Sequence, residues 1–148
     1  MQATDRHAKE RLILALDVPD AASALAWVAR LGSGVGLVKI GLELFVAAGP
    51  ELVRRVRGLG VGVFLDLKLH DIPNTVAGGI RAVVELAPTY ITIHSSGGHE
   101  MLKAAVGEAA NMAAKLGVPR PKLLGVTVLT SLDRSDLEAT GIDSDPSD

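Results

Sequence analysis

The sequence predicts an α/β fold, a (β/α)8 TIM barrel of which these 148 residues supply the first five βα units. Three observations favour this class. Five short apolar runs alternate with stretches of helical periodicity, as parallel strands joined by helices require. No G-x-G-x-x-G pattern follows the first run, which disfavours an open dinucleotide-binding sheet. Polar residues gather at the carboxyl ends of nearly all the runs, and a barrel brings those ends into one ring.

Each apolar run predicts a buried strand, because it is short and several runs are rich in β-branched residues. The predicted strands are Leu12–Leu16, Leu37–Ile40, Val61–Leu67, Tyr90–Ile93 and Leu123–Leu129. The polar residues at or near their ends are, in the same order, Asp17, Lys39, Asp66 with Lys68, His94, and Thr130 with Ser131.

The stretches between the strands predict four helices. Asp20 is the expected N-cap of the first helix, which ends at Gly32. Leu25, Val28 and Leu31 are predicted to share one face of this helix. The other helical stretches are Leu42 to Val56 with a break at Gly49-Pro50, about Asn74 to Leu86, and Met101 to Leu116 before Gly117.

Composition sets the broad class of the protein. A chain that is 48% hydrophobic and 22% charged is typical of a globular protein, and we expect one barrel domain over residues 1–148, incomplete at its C-terminal end. The net charge of −2 argues against a broad nucleic-acid or membrane surface. The absence of cysteine excludes disulfides, thiolate metal sites and a cysteine nucleophile. The N-terminal segment does not have the pattern of a signal peptide, so we expect a cytoplasmic protein.

Charged residues inside two apolar strands are the first sign of a functional site. Lys39 lies between Val38 and Ile40, and Asp66 and Lys68 lie among leucines. A buried charge without a partner is costly, so these residues are expected to pair. On a regular strand Asp66 and Lys68 point to the same side, with Cα atoms about 6.6 Å apart. A structural ion pair and a catalytic pair both remain compatible with this spacing alone.

The longer string from Asp66 to Thr75, DLKLHDIPNT, resembles the D-x-K-x-x-D signature of orotidine 5′-phosphate decarboxylases, including the I-P-N-T tail of the bacterial enzymes. Other segments resemble the same family in the same order along the chain. These are Ala15-Leu16-Asp17, Val38-Lys39-Ile40-Gly41, Ile93-His94-Ser95-Ser96-Gly97-Gly98 and Val126-Thr127-Val128-Leu129-Thr130-Ser131. The resemblance implies a cofactor-free enzyme that converts orotidine 5′-monophosphate (OMP) to uridine 5′-monophosphate (UMP) and carbon dioxide in de novo pyrimidine biosynthesis.

The resemblance also implies roles for individual residues. Lys68 corresponds to the general acid that protonates C6 of the pyrimidine, and Asp66 and Asp71 flank it. Lys39 corresponds to the lysine that bonds Asp66 and the ribose, while Asp17 corresponds to the residue that holds the ribose hydroxyls.

Further residues are implied at the substrate and at a subunit interface. Ile72 and Thr75, together with Asp71, correspond to residues that reach into the active site of a partner subunit, so the family implies a homodimer with shared sites. Thr130 corresponds to a residue near the pyrimidine or the phosphate. No metal ligand is implied.

The chemistry agrees with these roles. Loss of carbon dioxide leaves an electron pair on a ring carbon that has no π-system to absorb it, and the sequence shows no recognisable metal, pyridoxal or thiamine site. A prepositioned ammonium can stabilise that carbanion and then protonate it. Neighbouring carboxylates favour the charged form of such a lysine.

The histidines have structural interpretations. His70 is expected to pack or cap on the side away from Asp66 and Lys68. His94 is expected at the rim of the site, and His99 on the solvent face of a helix. No pair of histidine and acidic residues predicts a metal site.

Two other functions remain open. The magnesium-dependent hexulose-phosphate synthases and keto-gulonate-phosphate decarboxylases share D-x-K-x-x-D, but they carry a metal-binding glutamate where this chain has Lys39. A non-catalytic barrel fragment is the second alternative. A complete barrel takes about 250 residues, and the family's phosphate-binding glutamine and arginine belong to the later units. We therefore expect residues 1–148 alone to be inactive.

Overall fold

The computed structural model describes residues 8–146 of the chain. Five parallel strands form one sheet in the order β1-β2-β3-β4-β5. The strands are β1 (Ile13–Ala15), β2 (Leu37–Gly41), β3 (Gly62–Leu69), β4 (Tyr90–His94) and β5 (Lys122–Val126). Sequential order with parallel pairing is the arrangement predicted for consecutive βα units.

Helices connect the strands. They are α1 (Ala21–Leu31), α2 (Leu42–Gly58), α3 (Pro73–Val84), α4 (Gly98–Leu116) and α5 (Arg134–Ala139), with 3-10 turns at Gly32–Gly34 and Ser95–Gly97. Because parallel crossovers are right-handed, helices that join strands in sequential order collect on one face of the sheet.

The core lies between that face of the sheet and the helices. Val38, Ile40 and Leu65 on the strands are fully buried there, as are Val56 of α2 and Ile80 of α3. Alternation along each strand sends the intervening side chains to the opposite face. In β2 and β3 the polar side chains therefore share one face, which is not covered by helices.

Local signals account for several helix boundaries. The carboxylate of Asp20 accepts a hydrogen bond from the Ser23 amide, as expected for an N-cap. Gly49 interrupts α2 with φ of 66°, a conformation suited to glycine, and Gly117 ends α4 in the left-handed region. Val28 of α1 is buried in the core, whereas Leu31, the last residue of the helix, is 41% exposed.

The structure differs from the prediction at the end of the chain. The fifth strand ends at Val126 instead of Leu129. Val126 pairs with His94, the last residue of β4, and a strand continues only where a neighbour supplies hydrogen bonds. Helix α5 was not predicted, although Asp133 and Asp136 form a capping box at its start. No helix within residues 8–146 is long and apolar enough to cross a membrane.

Candidate active site

A cleft opens at the carboxyl ends of β1, β2 and β3. Asp17 follows β1, Lys39 lies on β2, and Asp66 and Lys68 lie on β3, and all four side chains line the cleft. Parallel pairing places Lys39 beside Phe64 and Gly41 beside Asp66, so Lys39 and Asp66 lie two positions apart in register on the same face of the sheet. The structure thus brings together four of the predicted site residues.

The four side chains form a chain of alternating charge. Nζ of Lys39 lies 3.3 Å from Oδ1 of Asp17 and 3.8 Å from Oδ2 of Asp66. Nζ of Lys68 lies 2.9 Å from Oδ1 of Asp66. Asp66 is therefore the centre of the array, with one ammonium near each of its carboxylate oxygens.

Burial differs along this array. The side chain of Asp66 is only 15% exposed, whereas that of Asp17 is 75% exposed. Burial alone would raise the pKa of Asp66. The hydrogen bonds from Lys68 and Thr92 and the charges of Lys68 and Lys39 outweigh burial, and the pKa of Asp66 lies below its ordinary value of 3.8. Asp66 is consequently a carboxylate at neutral pH.

The backbone at Lys68 is irregular. Its φ is +50°, in the left-handed region that residues other than glycine rarely adopt. The register between β3 and β4 shifts between Leu65 and Leu69, as at a β-bulge. Bulges are frequent next to active sites, where they redirect a side chain.

Thr92 of β4 was not among the predicted site residues, yet it contacts the array. Its hydroxyl accepts a hydrogen bond from the Lys68 amide at 2.8 Å and donates one to Oδ1 of Asp66 at 3.0 Å. The available signal was a hydroxyl residue between Ile91 and Ile93 in an otherwise apolar strand.

Asp71, Ile72 and Thr75 lie outside the cleft. All three are exposed, and Oδ1 of Asp71 accepts a hydrogen bond from the Ile72 amide at 2.6 Å. Within the described residues, Asp71 forms no ion pair with Lys68 of the same chain. The position of Asp71 beside Lys68 therefore stays a prediction that requires a second subunit.

Thr130 also lies apart from the array. It is exposed, in the turn that follows β5, and it does not line the cleft with Asp17 and Lys39. Its expected contact with the substrate stays a prediction.

A pair of histidines lies beside the site. The rings of His70 and His94 have centroids 5.1 Å apart and planes tilted by 35°. Burial lowers the pKa of His94 below 6.5, and the positive charges of His70 and Lys68 lower it further. His99 is exposed, as predicted. A Cβ added at Gly97 would overlap the Met101 side chain, so this glycine allows close packing.

The array can perform proton transfer and charge stabilisation. An ammonium held against a carboxylate is a positioned proton donor, and the second ammonium and Asp17 offer partners for hydroxyl groups. Within residues 8–146 the structure contains no group of three or more histidine, aspartate or glutamate side chains arranged to hold a metal ion.

The chain is similar in sequence to a known protein family and to several of its members. A model described as the orotidine 5′-phosphate decarboxylase / HUMPS family matches residues 10–146. An orotidine 5′-phosphate decarboxylase from Moorella thermoacetica is 52% identical over 131 residues, which cover 88% of this chain and 52% of the relative. The chain thus spans about half the length of the curated relatives it matches.

Solved structures of orotidine 5′-phosphate decarboxylases share the fold of this chain. The crystal structure of an orotidine 5′-phosphate decarboxylase from Lactobacillus acidophilus superposes with a TM-score of 0.80 at 37% identity, covering 88% of this chain and 58% of that one. A homologous enzyme from Methanocaldococcus jannaschii, complexed with the inhibitor BMP, gives a TM-score of 0.64 at 29% identity, covering 76% and 49%. The predicted fold, the first five units of a (β/α)8 barrel, is confirmed.

Proposed function

The chain belongs to the orotidine 5′-phosphate decarboxylase / HUMPS family, and from that premise we propose that the protein containing it is a carboxy-lyase that converts OMP to UMP and carbon dioxide. The reaction would serve de novo pyrimidine biosynthesis. A cytoplasmic location stays a prediction.

The observation that carries this proposal is the position of the Lys68 ammonium, 2.9 Å from Asp66 at the mouth of the cleft. In the proposed reaction the bond between C6 and the carboxylate breaks, and its electron pair stays on C6. Lys68 stabilises that negative charge and transfers a proton from Nζ to C6, which gives UMP. Solvent then returns the proton to Lys68.

The other residues of the array would bind and orient the nucleotide. Lys39, whose Nζ lies between Asp17 and Asp66, is in position to hold Asp66 and to donate a hydrogen bond to the ribose. The exposed carboxylate of Asp17 can accept hydrogen bonds from ribose hydroxyls. Both interactions fix the sugar, and a fixed sugar places C6 against Lys68. The complex of the Methanocaldococcus jannaschii enzyme with the inhibitor BMP supports ligand binding in this family.

The proposal includes a homodimer with shared active sites. Asp71, Ile72 and Thr75 project from the loop and first turn after β3, and Ile72 is 66% exposed. Two apolar residues of α2, Leu42 and Val46, are 58% and 74% exposed. Leu42 and Val46 are four residues apart on one helix and so lie on the same face of it. Exposed apolar side chains grouped in this way are typical of interfaces, and they support a partner subunit. Thr130 would contact the substrate from the loop after β5.

Lys39 favours this function over the magnesium-dependent one. The metal-dependent relatives carry a glutamate at this position, whereas here an ammonium lies within 3.8 Å of Asp66, where it opposes cation binding. The test uses the complete gene product that contains this chain, with OMP consumption followed by absorbance. We expect turnover that is unchanged by EDTA. No turnover of OMP, or turnover that EDTA abolishes and Mg²⁺ restores, would refute the proposal.

A further inference from the structure

We propose that Thr92 is a positioning residue that holds Asp66 and Lys68 in their reactive arrangement through one hydroxyl group. The catalytic part of this inference rests on the proposed function. The structural part rests on the contacts of Thr92 alone.

The hydrogen bonds of Thr92 have only one consistent direction. An amide can only donate, so the hydroxyl oxygen accepts from the Lys68 amide at 2.8 Å. An ionised carboxylate can only accept, so the hydroxyl hydrogen is donated to Oδ1 of Asp66 at 3.0 Å. Thr92 is 5% exposed, so water has little access to replace either bond. A single buried hydroxyl therefore connects the backbone of one site residue to the side chain of the other.

The site depends on this connection because the backbone at Lys68 is unusual. Ladder pairing between β3 and β4 is interrupted between Leu65 and Leu69, and Lys68 has a φ of +50°. A conformation of this kind persists only where its surroundings hold it. The Thr92 hydroxyl supplies a hydrogen-bond acceptor inside the irregular segment, where regular strand pairing is interrupted. Thr92 thus helps to determine the direction in which Lys68 leaves the strand.

The same hydroxyl also orients Asp66. Oδ1 of Asp66 accepts both from Thr92 and from Nζ of Lys68. The three groups form a closed loop of contacts, which runs from the Lys68 amide through Thr92 and Asp66 back to the Lys68 ammonium. If the hydroxyl is removed, the backbone of Lys68 and the carboxylate of Asp66 each lose a hydrogen-bond partner. The ammonium then keeps its contact with Asp66, but both the carboxylate and the backbone that position it are less restrained. A misplaced proton donor slows the chemical step more than it weakens nucleotide binding.

The test compares Thr92→Val, which replaces the hydroxyl with a methyl group, with Thr92→Ser, which keeps the hydroxyl. Thr89→Val is the matched control, because Thr89 lies just before the opposite end of β4. For each variant of the complete gene product, kcat and KM for OMP, the thermal midpoint and the hydrogen-exchange rate of the Lys68 amide are measured. We expect Thr92→Val to lower kcat about 10- to 100-fold with KM changed less than about threefold. The Lys68 amide should exchange faster in Thr92→Val, and Thr92→Ser should restore both properties.

Three results would contradict the positioning role of Thr92. A Thr92→Val variant that keeps kcat and amide protection overturns the proposal, and so does a Thr92→Ser variant as impaired as Thr92→Val. If Thr92→Val does not fold, Thr92→Ala replaces it. If neither variant folds while Thr92→Ser does, the hydroxyl has a purely structural role and the proposed positioning role is wrong. If the unaltered protein does not turn over OMP, the proposed function fails, and the exchange rate of the Lys68 amide alone tests the contact with Thr92.

Discussion

Nζ of Lys68 lies 2.9 Å from Oδ1 of Asp66, although the backbone of Lys68 has left the regular strand conformation with a φ of +50°. Residues two apart on a regular strand share a face, and that spacing predicted the contact. The structure keeps the contact across an irregular segment, where strand periodicity no longer ensures it. Such a local departure from regular geometry is common at functional sites.

Replacing Lys68 with methionine should raise the pKa of Asp66. Burial would raise this pKa by itself, and the hydrogen bond and charge of Lys68 are prominent among the effects that lower it. An NMR titration of the Asp66 carboxyl carbon measures the shift. Lys39→Met should raise the pKa less, since its charge has a smaller effect, and Lys103→Met on the exposed side of α4 serves as the control. An unchanged pKa in Lys68→Met would contradict the ion pair.

The lowered pKa of Asp66 also determines how the stability of the unaltered protein changes with pH. The pKa of Asp66 is lower in the folded protein than its ordinary value of 3.8, so the unfolded chain binds the proton more readily. The stabilisation is present in full above that ordinary value and is lost as the pH falls through the lower, folded pKa. Denaturant titrations between neutral pH and acid should therefore show a smaller acid-induced loss of stability in Asp66→Asn than in the unaltered protein.

Replacing His70 with glutamine should raise the pKa of His94. Burial is the main cause that keeps this pKa below 6.5, and the charge of His70 is the next. The pKa should rise without reaching 6.5, because burial and Lys68 remain. Neutral His94 stabilises the fold above about pH 6.5, and this contribution is lost as the pH falls through the folded pKa. Titration of the His94 ring protons in His70→Gln tests the expected rise. A His94 pKa that equals or falls below that of the unaltered protein would contradict it.

Mixing two inactive variants should restore activity if the sites are shared between subunits. Within one chain of the structure, Lys68 and Asp71 form no ion pair. In a heterodimer of Lys68→Ala and Asp71→Ala, one of the two sites combines Lys68 from one subunit with Asp71 from the other. We expect up to about one quarter of full activity after subunit exchange at equal amounts, because half of the dimers are mixed and each has one intact site. Mass spectrometry establishes the exchange. Complete exchange without recovery would show that each site belongs to one chain.

A polypeptide of residues 1–148 alone should not decarboxylate OMP at a useful rate. In residues 8–146, β1 and β5 are edge strands, and Ile13 and Leu124 on them are 46% and 38% exposed. Open edges and exposed apolar side chains favour association or aggregation. Phosphate-binding loops in barrels of this kind usually follow the last strands, and their contacts contribute to turnover as well as to affinity. Turnover by the soluble polypeptide within about tenfold of that of the complete gene product would contradict this expectation.

The sequence predicted the features that depend on periodicity and on local signals. The positions of β2 and β3, the N-cap at Asp20 and the break at Gly49 follow from apolar patterns and from the conformations that single residues prefer. The cost of leaving charges unpaired in apolar strands predicted that Lys39 and Asp66 would have partners, and the family resemblance implied that they would contact each other.

Features that depend on neighbouring strands could not be predicted in the same way. The end of β5 at Val126 is set by its partner β4, whose last residue is His94. The left-handed conformation of Lys68 and its contact with Thr92 arise from a shift in register that no local pattern encodes. Helix α5 was missed for a different reason, because its only signal is the short capping box that begins at Asp133.

The most direct test of the central claim is the turnover of OMP by a Lys68→Ala variant of the complete gene product. The control is Lys103→Ala, which removes an exposed lysine from the surface of α4. Circular dichroism and the thermal midpoint establish that both variants fold. We predict that Lys68→Ala lowers kcat/KM by about 100-fold or more, because the positioned proton donor is lost, and that Lys103→Ala leaves it unchanged. A folded Lys68→Ala variant that keeps about one tenth or more of the original turnover would contradict the assignment of Lys68 as the general acid.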